Sequence, residues 1–272
     1  NLMMYFFAGI ILNDLMPVLD FKNCNDHRLS DYYRAHDPCG LPVRVWWPFD
    51  ARNAAQYYLL LMFNTYASLV CACVVLIITL TLVGLLIHLN AQMKHLKQKL
   101  VDIFIDFSEE STSTYSTDVE EKLNLCVQYH DDIISQADEI FRCFGVLLVV
   151  HVTLTPFVFG ILGFRIVSME NFTDKLRYTM QLGGWIAMLF LTCYYGQLVL
   201  DESLSVSDAA YQSKWYNGNS RLGKYILLIL MRSQRPLELK AASITTLSLN
   251  TFVSIIKTAY SCFTLLITIS TE

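Results

Sequence analysis
The stretch at residues 241–269, AASITTLSLNTFVSIIKTAYSCFTLLITI, limits what this chain can fold into more than any other. About 20 apolar residues cross the ~30 Å hydrocarbon core of a bilayer as a helix, and this stretch is long enough. It is not a plain lipid-facing anchor. Ser and Thr occur throughout it, Lys257 sits near its middle, and an aromatic motif, YSCFTLL, lies near its end. A helix that wet has to face other helices or water. The stretch therefore reads as the lining of a pore, with the rest of the chain holding it, opening it and reading a ligand for it.

The chain is 54% hydrophobic and only 16% charged, where a soluble domain carries about 25% charged residues. The excess apolar content collects in long blocks, which makes the chain an all-α, polytopic helical membrane protein. A formal net charge of −4 gives nucleic acid no basic surface to bind. Six of the cysteines, Cys71, Cys73, Cys126, Cys143, Cys193 and Cys262, fall in apolar or helical stretches and read as unpaired thiols. Cys24 and Cys39 share one polar loop, where a disulfide forms if that loop is extracellular; two free thiols are the alternative. The histidines are scattered, no metal-spaced cluster or Gly-rich phosphate loop occurs, and the sequence implies neither an enzyme nor a cofactor. A transporter is disfavoured because no internal repeat is evident.

Taken in order, residues 1–19 form an apolar helix interrupted by Asn13 and Asp14 and ended by Pro17. It begins without a basic leader, so it reads as a membrane helix entered part-way, with earlier helices expected upstream. Residues 20–53 are a polar loop closing on WWPFD, an aromatic pair suited to the membrane interface. A second span covers residues 54–89 and is too long for one upright crossing, so it tilts or projects into water. Residues 90–142 are an inner region with a mobile loop at SEESTSTYSTD and an amphipathic helix at VEEKLNLCVQYHDDIISQADEIF. Spans follow at 143–169, kinked by Pro156 and Gly160, and at 176–200. Between them the short loop 170–175 carries Asn171-Phe172-Thr173, a glycosylation acceptor if it faces outside. Residues 201–240 are a second inner region with the amphipathic stretch LGKYILLILMRSQRP, and the last span is 241–270. The two inner regions hold eleven Lys and Arg against eight in the outer segments counted as residues 20–53 and 164–177, Arg177 among them, a small bias with the sign of a cytoplasmic inner side.

CYYGQLVLDESLSVSDAAYQSKWY, MRSQRPLEL and SLNTFVSIIKTAYSCFTLL resemble, in order and spacing, the C-terminal signature of insect odorant receptors. WWPFD and LNLCVQYHDDI match as well, and the resemblance runs over essentially the whole chain. It implies a chain similar to such a receptor from its third of seven membrane helices onward. It further implies long tilted transmembrane helices, a cytoplasmic helical anchor that holds subunits together, and a tetramer with a shared co-receptor subunit. On this resemblance the assembly is an odorant-gated, non-selective cation channel in the plasma membrane of olfactory sensory neurons, needing no G protein. Its partners are volatile odorants, the lipid bilayer and the co-receptor. A gustatory-type receptor shares the pore logic and is the alternative, although its C-terminal motif differs from YSCFTLL.

Aligning SLNTF with the family puts the hydrophobic gate at Leu265 and Ile269, four apart on one helix face, with Thr268 beside them. A ring of apolar side chains closes a pore by dewetting. Lys257 fits a basic pore lining poorly, because a positive ring opposes cations, and snorkelling or pairing with an acidic inner loop is the plainer role. The resemblance also implies an outer-half odorant pocket. Its facing candidates at helical spacing are Phe6, Gly9 and Asn13, then Tyr58, Met62 and Thr65, then Tyr178, Gln181 and Trp185.

Overall fold
A computed structural model describes residues 54–107, 113–169, 172–213, 215–217, 220–241 and 245–271. They form α1 (Ala54–Phe107), α2 (Ser113–Ser168), α3 (Phe172–Gln212), a short 3₁₀ turn (Trp215–Asn217) and α4 (Ser220–Ser233). A hairpin of two-residue strands follows, β1 (Lys240–Ala241) and β2 (Thr245–Thr246), and then α5 (Leu249–Thr271). Among the described residues the fold is all-α apart from this hairpin. Helices α1, α2, α3 and α5 are each long and apolar enough to cross a membrane, so the chain is built as a multi-pass membrane protein.

Three of these helices run past the sequence-based boundaries. No break occurs at residues 89, 142 or 200, and α2 begins at Ser113, inside the segment read as a loop. At about 1.5 Å per residue, the 54 residues of α1 reach far beyond the ~30 Å core. What carries them on is a change of apolar pattern. Within the span α1 is apolar all round. From its last two turns onward, buried residues recur at alternating steps of four and three: Leu82, Leu86, Leu89, Met93, Leu96 and Leu100. Helix α2 repeats the pattern at Val119, Leu123, Cys126, His130, Ile133 and Ala137. Such a 3.5-residue repeat is the seam of coiled-coil packing, and each fully buried leucine contributes about 1.5–3 kcal/mol. The polar residues that suggested loops are the outer faces of these helices.

The described residues divide into two compact units, each taken by itself. One comprises Leu80–Thr155 and Leu189–Ile255. Here the four-three pattern recurs on α3 at Val199, Ser203, Val206 and Ala210, and on α4 at Leu222, Ile226 and Ile229. Polar contacts fix the registers. Lys97 on α1 pairs with Glu202 on α3 and donates to Ser205 Oγ at 2.9 Å. The Leu237 amide donates to Ser203 Oγ at 3.0 Å, pinning the chain after α4 to α3. The hairpin pairs Lys240 with Thr246 and Ala241 with Thr245, and the Leu247 amide donates to Leu239 O at 2.8 Å. A Cβ on Gly196 of α3 would lie 2.7 Å from Leu247 O, so this position requires glycine. The last helix, expected from residue 241, therefore starts only at Leu249, because the preceding residues form the hairpin and Ser248 caps the helix.

The other unit takes the described residues up to Thr79, Pro156–Met188 and those from Ile256 on. Its core includes Leu60 and Leu76 of α1 and Phe159 and Leu162 of α2. Asn64 is buried there too, its side-chain amide donating to Leu60 O at 3.2 Å, one helical turn back.

Candidate functional site
Helix α5 is built to present one face. Ser248 Oγ accepts from the Thr251 amide at 3.4 Å, a side-chain cap on the first turn. Thr251 Oγ1 donates back to Thr246 O at 2.5 Å, and Phe252 meets Phe190 of α3 edge-to-face with centroids 5.6 Å apart. Further along, α5 lies against α2 where α2 has no side chain. A Cβ on Gly160 would sit 2.8 Å from Cys262 Cβ and 3.3 Å from the Phe263 amide nitrogen, and one on Gly163 would sit 3.2 Å from the Phe263 ring. That close approach sets the rotation of α5: Thr251, Ile255 and Ala259 are buried in turn.

The exposed side carries Ser254, Lys257, Thr258, Ser261, Leu265 and Thr268, with Val253 and Tyr260 exposed as well. Only 11% of the most apolar window of α5 is buried within the chain, against 28–39% for the other three long helices. The hydroxyls here donate to their own helix, Ser261 to Lys257 O at 3.2 Å and Thr268 to Thr264 O at 3.0 Å. Helix geometry is thereby satisfied while each oxygen keeps acceptor capacity for water or an ion. Leu265 and Ile269 are 61% and 63% exposed. Leu265 lies within the polar stripe and Ile269 at its margin.

The α3 candidates share one face: Tyr178 and Trp185 are half-buried and Gln181 is exposed. At the edge of this face stands Arg177, only 8% exposed. Its Nη2 donates to the Tyr178 hydroxyl at 2.8 Å, and its Nη1 lies 4.0 Å from Asp174 Oδ1. Met188, about three turns on, is buried on the same face. On α1, Leu60 and Asn64 are the buried positions, and Tyr58 and Met62 lie on the opposite side, 62% and 72% exposed, with Thr65 half-buried. Phe6, Gly9, Asn13, Cys24, Cys39 and Asn171 lie outside the described residues.

In the stretch read as lying beyond the membrane, His130 occupies a seam position of α2. Burial, reinforced by the Arg232 charge and opposed by Asp131, pushes its imidazole down to about 4, so it packs neutral. Asp131 and Asp132 point outward. An open cleft of about 360 Å³ lies nearby, lined by Asp138, Phe141, Arg232, Arg235, Leu237 and Glu238 among others. Its mixed charges suit a polar contact, not a small apolar molecule. The six cysteines among the described residues are free thiols, and no group of three His, Cys, Asp or Glu among the described residues is placed to hold a metal.

Sequence reasoning overlooked the Arg177 cluster, the Gly160–Cys262 approach and the Lys97–Glu202 pair. Two of the three had a signal: an Arg three residues after Asp174 and one before Tyr178 at the start of an apolar helix, and glycines three apart in α2.

A family model described as "7tm Odorant receptor" matches residues 30–260. Odorant receptor 13a of Drosophila melanogaster is 24% identical over 240 residues, covering 83% of this chain and 56% of that receptor. Odorant receptor 85b of the same fly is 30% identical over 146 residues, covering 54% and 37%. Odorant receptor Or2 of Anopheles gambiae is 25% identical over 234 residues, covering 84% and 61%. The chain thus spans about half the length of the relatives it matches. In fold it is similar to the insect olfactory receptor OR5 from Machilis hrabei, solved in complex with eugenol, with a TM-score of 0.82, 17% identity, and 98% and 64% of the two chains covered. A second structure of the same receptor matches with a TM-score of 0.78 at 17% identity, covering 97% and 63%.

Proposed function
The chain belongs to the 7tm odorant receptor family, a family of receptors and not of enzymes, and on that premise we propose that it is the tuning subunit of an odorant-gated, non-selective cation channel. The observation that carries the reading is the exposed face of α5, where hydroxyls alternate with Leu265 on a helix scarcely buried by its own chain. Four such faces around an axis make a wet conduit with an aliphatic constriction. Leu265, Thr268 and Ile269 form the gate, and closure is dewetting of that ring. Side-chain hydroxyls above and below it solvate a cation without holding it.

The other helices serve this one. The seams of α1, α2, α3 and α4 form a cytoplasmic anchor that assembles the subunit with a co-receptor into a heterotetramer in the plasma membrane of olfactory neurons. The spans at 54–89, 143–169 and 176–200 then lie in the bilayer, and odorant is held in their outer half by Tyr58, Met62, Thr65, Tyr178, Gln181 and Trp185. Aromatic and thioether groups there give polarizable contacts that accept several ligand shapes. The last piece of the mechanism is mechanical. Ligand that shifts α2 shifts α5 with it, because Gly160 and Cys262 are in backbone-level contact.

The test is voltage clamp of cells expressing the complete subunit together with a co-receptor subunit, with a panel of volatile compounds applied under G-protein blockade. A cation current that persists under the blockade supports the reading. Responses abolished by it refute the channel.

A further inference from the structure
We propose that Arg177 selects odorants that carry a neutral carbonyl group, holding the carbonyl oxygen with its Nε–H while the ligand's apolar part lies along α3 toward Gly184. The inference deepens the odorant-site reading above and rests on it.

Three observations point to it. First, Arg177 is more than nine-tenths buried, and its Nε finds no hydrogen-bond acceptor among the described residues. A guanidinium taken out of water with an unsatisfied N–H is costly. Second, its other two nitrogens each face a partner, Nη2 donating to the Tyr178 hydroxyl and Nη1 lying 4.0 Å from Asp174 Oδ1, so Nε is the guanidinium nitrogen left without one among the described residues, and its single N–H has a direction fixed by the side chain. Third, the same face of α3 has room. Residues 177, 181, 184, 185 and 188 share one side of the helix at its period of about 3.6 residues. A Cβ placed on Gly184 meets no heavy atom within 4 Å among the described residues; Arg177 and Met188 on that face are buried, and Gln181 between them is exposed. The distance from Arg177 to Gly184 is seven residues, about 10 Å along the axis, the size of a medium-chain volatile molecule.

Charge decides which acceptor fits. Arg177 and Asp174 already cancel, so a carboxylate in the same place would be a buried, uncompensated negative charge. A ketone, aldehyde or ester oxygen takes one N–H without adding charge. A hydrocarbon leaves the donor unpaired, and a site built around a buried donor rejects the analogue that lacks its partner.

The experiment uses the complete subunit co-expressed with the co-receptor. Matched sets of equal chain length are compared under voltage clamp, such as octan-2-one, n-octane and octanoate, across a range of lengths. Wild type should respond to the ketone at about tenfold lower concentration than to the alkane, with the carboxylate no better than the alkane. Arg177→Met should bring the ketone and alkane together, closing the roughly tenfold gap between them, because the carbonyl loses its donor and the alkane no longer leaves one unpaired. Gly184→Leu, which fills the open space without touching Arg177, should abolish responses to the longer ketones and spare the shorter ones. Equal potencies in wild type, a carboxylate that activates best, or a ketone preference that survives Arg177→Met would overturn the proposal. If Arg177→Met does not reach the cell surface, the Gly184→Leu length series decides it. Should no volatile compound evoke any current from wild type, the channel reading itself has failed, an outcome distinct from a wild-type channel that responds without regard to the carbonyl.

Discussion
Gly160→Ala is the smallest change that tests how α5 is held. The added methyl carbon would sit 2.8 Å from Cys262 Cβ, with the Phe263 amide nitrogen at 3.3 Å and Ala259 O at 3.4 Å. Non-bonded carbons settle near 3.5–4.0 Å, so α2 and α5 must separate by roughly 1 Å at this level. Overpacking of that kind costs about 1–3 kcal/mol. The push acts on the Cys262 side of α5 and drives it toward its exposed face, which in the proposed assembly is the pore axis. Closed states are therefore favoured. A shift of about 1.4 kcal/mol in the gating equilibrium is tenfold, so odorant concentration–response curves should move roughly tenfold to higher concentration with surface expression retained. Adding Cys262→Gly removes the atom that is struck and should restore most of the loss. A Gly160→Ala channel with wild-type sensitivity would refute the backbone-level contact. Failure of Cys262→Gly to rescue would show that the effect arises elsewhere.

Leu265→Ala or Ile269→Ala should raise the resting current in the absence of odorant or alter ion permeation, measured in the same recordings; unchanged currents in both would remove these residues from the gate. Glu202→Ala strips the partner from a half-buried Lys97 and should destabilise α1–α3 packing by about 1–3 kcal/mol, between the values for exposed and buried pairs, read as a lowered melting temperature of the detergent-solubilised complex. His130 has a folded-state pKa lowered to about 4 from an unfolded value near 6.5. Its contribution is therefore fully present above about pH 6.5 and is lost as pH falls toward 4, on the order of 3 kcal/mol in all. His130→Gln should flatten the acid limb of stability measured over that range, and an unchanged limb would show the histidine to be irrelevant to it.

What the sequence makes legible follows from how far each feature reaches along the chain. The four long apolar helices are local patterns, and composition alone finds them. Their ends are not, because a segment such as HLNAQMKHLKQKL looks like the start of a loop until its Leu89, Met93, Leu96 and Leu100 are recognised as one continuous buried seam. The hairpin before α5 is held by Gly196 and Leu247, residues far apart in sequence, so the last helix was expected to begin several residues too early. The rotation of α5 depends on Gly160 of another helix and could be assumed only through the family's alignment. Arg177 shows the same lesson in reverse. Sequence reading counts it among the charges of the outer side, whereas the structure buries it beside Tyr178. A charge near a helix end has a different meaning once its neighbours are known.

The central claim is that the exposed face of α5 meets water in a conduit shared between subunits. Single cysteines placed along α5 in the complete, co-expressed channel, each exposed to a membrane-impermeant charged thiol reagent during odorant application, test it most directly. Current should be altered at positions 254, 258, 261, 265 and 268 and untouched at 255, 259 and 266, relative to the parent channel with its own thiols. Modification that follows the 255, 259 and 266 face, or that shows no helical period at all, would contradict the account.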